Sequence, residues 1–102
     1  MPVILGCAAW KDRVNFEDLL FAGAVINRVS DQFSINCDAS GIAANLYRDA
    51  DGDLFGFMQK NNASHYHRLM NYGLEKDIRY CLTADGANVL PIYKDGRLEI
   101  LK

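Results

Sequence analysis

The chain has 102 residues, 50% of them hydrophobic and 24% charged, with a formal net charge of −2. That length supports one modest core and excludes two, and the composition is that of a globular protein, not of a disordered or repetitive one. Scattered Lys and Arg with a slight acidic excess give no basic field for a polyanion, so nucleic acid is not an expected partner.

Taken in chain order, the elements predict a mixed α/β fold. Val3 to Leu5 reads as a short buried strand directly behind Met1 and Pro2, as though the chain began in mid-architecture. The opening "MPVILG" lacks the basic region, hydrophobic segment and cleavage site of a signal peptide. Asn15 is a predicted helix N-cap with Asp18 three residues on, a weaker relative of the capping box. Phe16, Leu19, Leu20, Gly23, Ile26 and Val29 follow at helical spacing, which predicts a helix of about four turns. Gly23 in its interior is expected to allow close packing onto the sheet.

Asp38 is expected to cap a second helix bearing Ile42, Ala43, Leu46 and Tyr47, and a third begins near Asp53. Ser64 is the expected cap of a fourth, which Gly73 ends in the left-handed conformation. A short helix from Glu75 to Leu82 turns Ile78, Cys81 and Leu82 inward. "VLPIY", "KDGR" and "LEIL" then read as a hairpin, with Asp95 and Gly96 at the centre of a type I′ turn and Leu98 and Ile100 alternating with Glu99. The longest apolar run, Leu19 to Ile26, falls well short of the roughly 20 residues that span a bilayer. Cys7, Cys37 and Cys81 are odd in number and form no C-x-x-C pair, so they read as reduced cytoplasmic thiols and not as a zinc site.

Several chemical motifs fail on spacing. In "DADGDLFGF" Asp49, Asp51 and Asp53 alternate as in a calcium loop, but Leu54 occupies the place of the required Gly and Lys60 that of the bidentate Glu. His65 and His67 lie on a helical pattern that turns them about 200° apart, which does not make a chelating pair. What remains is the segment from Cys7 to Gly23. In "CAAWKDR" a cysteine precedes an arginine by the interval that cysteine-dependent phosphatases use, which leaves Cys7 either a nucleophile assisted by Arg13 or a small site-lining residue. Asp12 inside the loop, and a helix cap two residues beyond Arg13, favour the second.

"CAAWKDRVNFEDLLFAGAVI", with "GLEKDIRYC" and "VLPIYKDGRLEI", resembles the carboxy-terminal part of the 2-phosphosulfolactate phosphatase family. Cys7, Ala8, Arg13, Glu17, Asp18, Ala22 and Gly23 keep the family's order of C-A-G, Arg, E-D and A-G. Ala9 stands where the family usually has Gly, and Asp12 where a small residue is common. The resemblance covers essentially the whole chain, while the family's amino-terminal motifs, D-V-x-R-A-S and N-G-T-R, have no counterpart.

The resemblance implies a layered α/β/α fold with a mixed sheet, here a single domain or fragment of a larger protein closing in a hairpin. It also implies Mg²⁺-dependent hydrolysis of a phosphate monoester of a small anionic hydroxy acid, a step belonging to coenzyme M biosynthesis. Glu17 and Asp18 are the implied catalytic and metal-holding carboxylates, and His65 stands where the family often has His.

The residues themselves agree with an anion site, because a loop entering a helix gathers backbone N–H groups and the positive end of the helix dipole. Arg13 can grip phosphate or sulfonate oxygens as a fork, with Lys11 as a point charge, and Cys7 and His65 are the remaining substrate-binding candidates. Glu17 and Asp18 point about 100° apart, so one can serve a metal while the other caps the helix. The plainer alternatives are a dipole role for both acids, solvated cations, a surface His65, and a Trp10 that is either a core anchor or a lid. An incomplete sheet with open edges leads to the expectation of a homo-oligomer or of association with the missing amino-terminal half.

Overall fold

A computed structural model describes residues 1–101. It contains five helices, α1 (Phe16–Arg28), α2 (Asp38–Ala50), α3 (Leu54–Lys60), α4 (Ser64–Asn71) and α5 (Glu75–Cys81), followed by strands β1 (Pro91–Lys94) and β2 (Arg97–Ile100). The fold is therefore α/β, with a single antiparallel two-stranded sheet among the described residues.

Local chemistry sets most of the boundaries. Asn15, in an extended conformation, accepts a hydrogen bond from the Asp18 N–H at 2.9 Å and so begins α1. Asp53 does the same for α3 through the Gly56 N–H. Gly73, at φ +70°, closes α4: its N–H donates to the Met70 carbonyl and that of Leu74 to the Leu69 carbonyl, the paired bonds of a Schellman cap. Asn62, at φ +57°, ends α3 with the same pair of bonds, its own N–H to Gln59 and that of Ala63 to Met58. Asp95 and Gly96 both take positive φ, and the hairpin pairs Tyr93 with Leu98 and Lys94 with Arg97.

Two expected caps lie one residue off. Cys37, not Asp38, precedes α2, and Ala63, not Ser64, precedes α4; neither makes a side-chain cap bond. Asp38 and Ser64 instead occupy the first helical turn, where an acid still meets the helix dipole favourably.

The core gathers Leu20, Ala50, Phe57, Met58, Ala63, Tyr66 and Ile78, with Phe16, Leu46, Leu54, Phe55, Leu69, Met70 and Leu82 packed against it. Edge-to-face pairs of Phe16 with Phe57 and of Phe55 with Tyr66 join α1, α3 and α4. Burying each large side chain in this set contributes roughly 1.5–3 kcal/mol. Cys81, expected on the inner face of α5, is exposed.

Gly23 packs against α2, not against a sheet. A Cβ at this position would stand 2.1 Å from the Ala43 carbonyl oxygen and 2.9 Å from the Tyr47 Cβ. The two helix backbones approach through Ala22, Gly23, Ala43 and Ala44, all buried. Asn27 fastens the crossing by donating to the carbonyls of Gly23 at 2.8 Å and Ala44 at 3.0 Å while accepting from Arg48 at 3.0 Å.

The expected strand at Val3–Leu5 is absent, and Val3 and Ile4 are 60% and 91% exposed. A strand needs a hydrogen-bonding neighbour, and β1 and β2 pair only with each other. The hairpin is also inverted relative to its pattern: Leu98 and Ile100 are exposed, while Glu99 is half-buried opposite Ile92. The accessible surface totals 8363 Å², against about 5,800 Å² expected for a compact monomer of this mass. Large hydrophobic side chains such as Ile4, Val14, Phe21, Leu98 and Ile100 stand exposed.

Candidate functional site

The mouth of α1 is built by a tight reversal. Trp10 and Arg13 exchange backbone hydrogen bonds, the Trp10 N–H to the Arg13 carbonyl at 3.1 Å and the Arg13 N–H to the Trp10 carbonyl at 3.0 Å. Lys11 and Asp12 between them have φ of +50° and +59°, the geometry of a type I′ turn normally given to Asn and Gly. Ala9 stands at φ +61°, and a methyl-bearing residue there costs about 1 kcal/mol.

Asp18 stabilises this loop. Its Oδ2 accepts the Ala9 N–H at 2.8 Å, a charge-assisted bond that ties the reversal to the first turn of α1. Cys7 donates its thiol to the Asp18 carbonyl, Sγ to O 3.7 Å. The N–H groups of Ala9, Trp10, Arg13 and Asp18 are thus engaged inside the protein. A phosphate cradle around Cys7 would need such donors free, which weighs against the thiol as nucleophile. We expect Asp18→Ala to release the Ala9 amide, raising its hydrogen-exchange rate about tenfold, as losing a bond worth about 1.5 kcal/mol requires. Unchanged protection at Ala9 would contradict this role.

Glu17 faces the other way and meets α4. Its Oε1 is hydrogen-bonded to Nδ1 of His65, and the pair is largely shielded, with side chains 30% and 18% exposed. Because a carboxylate only accepts, the shared proton sits on Nδ1 of the imidazole. His67 turns instead to Asn62, so the two histidines serve different partners. Trp10 stands edge-on to the His65 ring at 5.4 Å, with Lys11 Nζ and Arg68 Cζ each 4.3 Å from the indole centroid. At 43% exposure Trp10 is a surface platform, not a core anchor. Arg13 is exposed and belongs to none of the ion pairs among the described residues.

The structure therefore brings Cys7 and Asp18 together, and separately Glu17, His65, Trp10 and Lys11. Arg68, absent from the sequence reading, joins the second group; its signal was only a cation three residues after His65, which helical geometry puts on the same face.

Among the described residues no three His, Cys, Asp or Glu side chains converge as a metal-binding group. Glu17 Oε2 and Asp18 Oδ1 take no part in the hydrogen bonds just described. Mg²⁺ asks for one or two protein carboxylates and fills its octahedron with water and phosphate oxygens, so a single one of these acids meets its minimum demand without closing a site.

Cys37 lies apart from this cluster. The Ser40 hydroxyl, 3.1 Å from its sulfur, holds its thiol pKa below the ordinary value. Near pH 8 it carries more thiolate than an ordinary thiol, so iodoacetamide should label it ahead of Cys7 and Cys81, and Ser40→Ala should remove that lead; equal rates in the unsubstituted chain would refute it.

An α/β chain with a carboxylate, an imidazole and stacked cations at the mouth of its first helix is the class these observations define. The family model described as 2-phosphosulpholactate phosphatase matches residues 1–96, and the chain belongs to that family. Similar proteins named "Probable 2-phosphosulfolactate phosphatase" include one from Picosynechococcus sp., 39% identical over 89 residues, covering 83% of this chain and 35% of that protein. One from Clostridium acetobutylicum is 31% identical over 98 residues, covering 94% and 40%. One from Caldanaerobacter subterraneus subsp. tengcongensis is 29% identical over 94 residues, covering 91% and 38%. The chain thus spans about two fifths of the length of these relatives, in keeping with the carboxy-terminal part that the sequence resembles. No helix is long and apolar enough to cross a membrane among the described residues.

Proposed function

We propose that this chain is the carboxy-terminal portion of a cytoplasmic, Mg²⁺-dependent phosphatase with a layered α/β/α fold around a mixed sheet. Its substrate is a phosphate monoester of a small anionic hydroxy acid, 2-phosphosulfolactate or a near analogue, as in coenzyme M biosynthesis. Family membership over residues 1–96 supports the chemistry. The observation that carries the site is the Glu17–His65 pair set beside Trp10 and its cations at the mouth of α1.

In this reading Glu17, through Oε2, would hold the metal with His65 fixing its carboxylate, while Asp18 fixes the loop. When bound, Mg²⁺ supplies charge neutralisation for the phosphoryl oxygens. Arg13 and Lys11 grip the remaining anionic oxygens, and Cys7 and His65 line the site. Water attacks phosphorus, the bond from phosphorus to the substrate oxygen breaks, and the water's proton ends on the released hydroxyl group. The outward apolar faces of Leu98, Ile100 and Val3–Leu5 are covered by the rest of the family protein or by a second copy.

Release of phosphate from such an ester, abolished by EDTA, is the expected result for this chain together with the remaining portion of a relative. Turnover that survives EDTA would overturn the Mg²⁺ dependence, and none from the reconstituted mixture would overturn the enzyme reading. In the latter case the outward apolar surface favours a second one, a non-catalytic module that binds an anion or a partner. The chain alone should self-associate in sedimentation at tens of micromolar; a monomer at every concentration would contradict the covering role of those faces.

A further inference from the structure

We infer that Arg68, stacked on Trp10, is a specificity-determining residue that, with Lys11, receives the second anionic group of the substrate, the carboxylate or sulfonate that is not transferred. The inference rests on the proposed phosphatase reading and gives a role to a residue on α4 to which that reading assigns none.

Two cations converge on one indole ring, each 4.3 Å from its centroid. They lie at most about 9 Å apart, close to one Debye length at physiological salt, so each feels the other's charge. Neither belongs to any ion pair among the described residues. The nearby Glu17 carboxylate is engaged by His65, and Asp12, in the same turn as Lys11, is also outside those pairs. Cation–π contact with Trp10 holds the two positive groups in place without neutralising them. Arg68 is half-buried, and its guanidinium donates none of the side-chain hydrogen bonds found among the described residues, so its fork of donors is available to a ligand. Such a pair is relieved by an anion of carboxylate or sulfonate shape.

The ring at the centre of this arrangement provides its own probe. Trp10 is the single tryptophan of the chain, so its fluorescence reports on the surroundings of this one ring, the two cations and His65. The test titrates the chain, in Mg²⁺, with phosphoglycolate, which carries a phosphate and a carboxylate, and with methyl phosphate, which carries only the phosphate. We expect phosphoglycolate to bind about tenfold more tightly, the discrimination of one charge-assisted contact. Arg68→Gln should bring the ratio of the two affinities close to one, Arg68→Lys should keep part of it, and 0.5 M NaCl should shrink it. Circular dichroism checks that the variants remain folded, and loss of selectivity in Arg68→Lys as great as in Arg68→Gln would assign the effect to packing and overturn the proposal. Two ligands bound equally by the unsubstituted chain, or a ratio untouched by Arg68→Gln, would overturn the role of Arg68 and leave the phosphate site standing. Failure of both ligands to bind would overturn the phosphate site and this inference together.

Discussion

Replacing Gly23 by Ala is expected to lower the stability of the chain by about 3 kcal/mol, a large share of what a domain of this size has to lose. Helix propensity alone predicts the opposite sign, since Gly inside a helix is about 1 kcal/mol worse than Ala. Contact geometry decides the matter, because the new Cβ would lie 2.1 Å from the Ala43 carbonyl oxygen, a backbone atom that cannot step aside without moving α2. The displacement would also break the Asn27 bonds to Gly23 and Ala44. Gly41 supplies the control. It lies in the first half of α2 with nothing within 4 Å of where a Cβ would be, so Gly41→Ala should stabilise by about 1 kcal/mol. Urea titrations of the two variants should shift their midpoints in opposite directions; a midpoint that rises in both would refute the close crossing of α1 and α2.

Substituting Glu17 by Gln is expected to reduce phosphate release at least 100-fold in the reconstituted phosphatase, with little change in the fold. The amide retains the size of the side chain and an oxygen to accept from His65, but it removes the charge that a hard divalent cation requires. A second readout separates a metal role from general damage: Mn²⁺ binding, followed by its paramagnetic broadening of resonances near the mouth of α1, should weaken in parallel. Retained turnover with retained broadening would remove Glu17 from the proposed metal site. Asp18→Ala would act differently, through the loop it tethers at Ala9, and its signature is amide exchange.

The sequence resolved what depends on neighbours a few residues away. Asn15 was legible as a cap because its side chain needs only the N–H three residues on. Gly73 and the Asp95–Gly96 pair were legible because positive φ is a local demand that few residue types meet cheaply. The caps at Asp38 and Ser64 slipped by one residue, since Cys37 and Ala63 took the cap positions without the side-chain capping bond that marks such a position in sequence. In the candidate site, the adjacency of Glu17 and Asp18 at a helix start was visible, and so was the division of their directions by about 100°.

Which carboxylate does what was a tertiary decision. Glu17 meets His65 across 48 positions of sequence, and no local pattern encodes that approach. Arg68 enters the site through the same packing of α4 beside the loop, by way of Trp10. Tertiary structure also reversed two readings of hydrophobic pattern. Val3–Leu5 and the Leu98–Ile100 face carry the apolar residues of buried strands, yet both stand in solvent. Alternation fixes which side chains share a face, but burial requires a second surface against that face. Composition, caps and turns were thus determined by the chain's own local chemistry. The meeting of Glu17 with His65, and the outward turn of the apolar segments at Val3–Leu5 and Leu98–Ile100, were decided only by which distant segments came into contact, because long-range packing answers to the whole set of contacts and not to any one stretch of sequence.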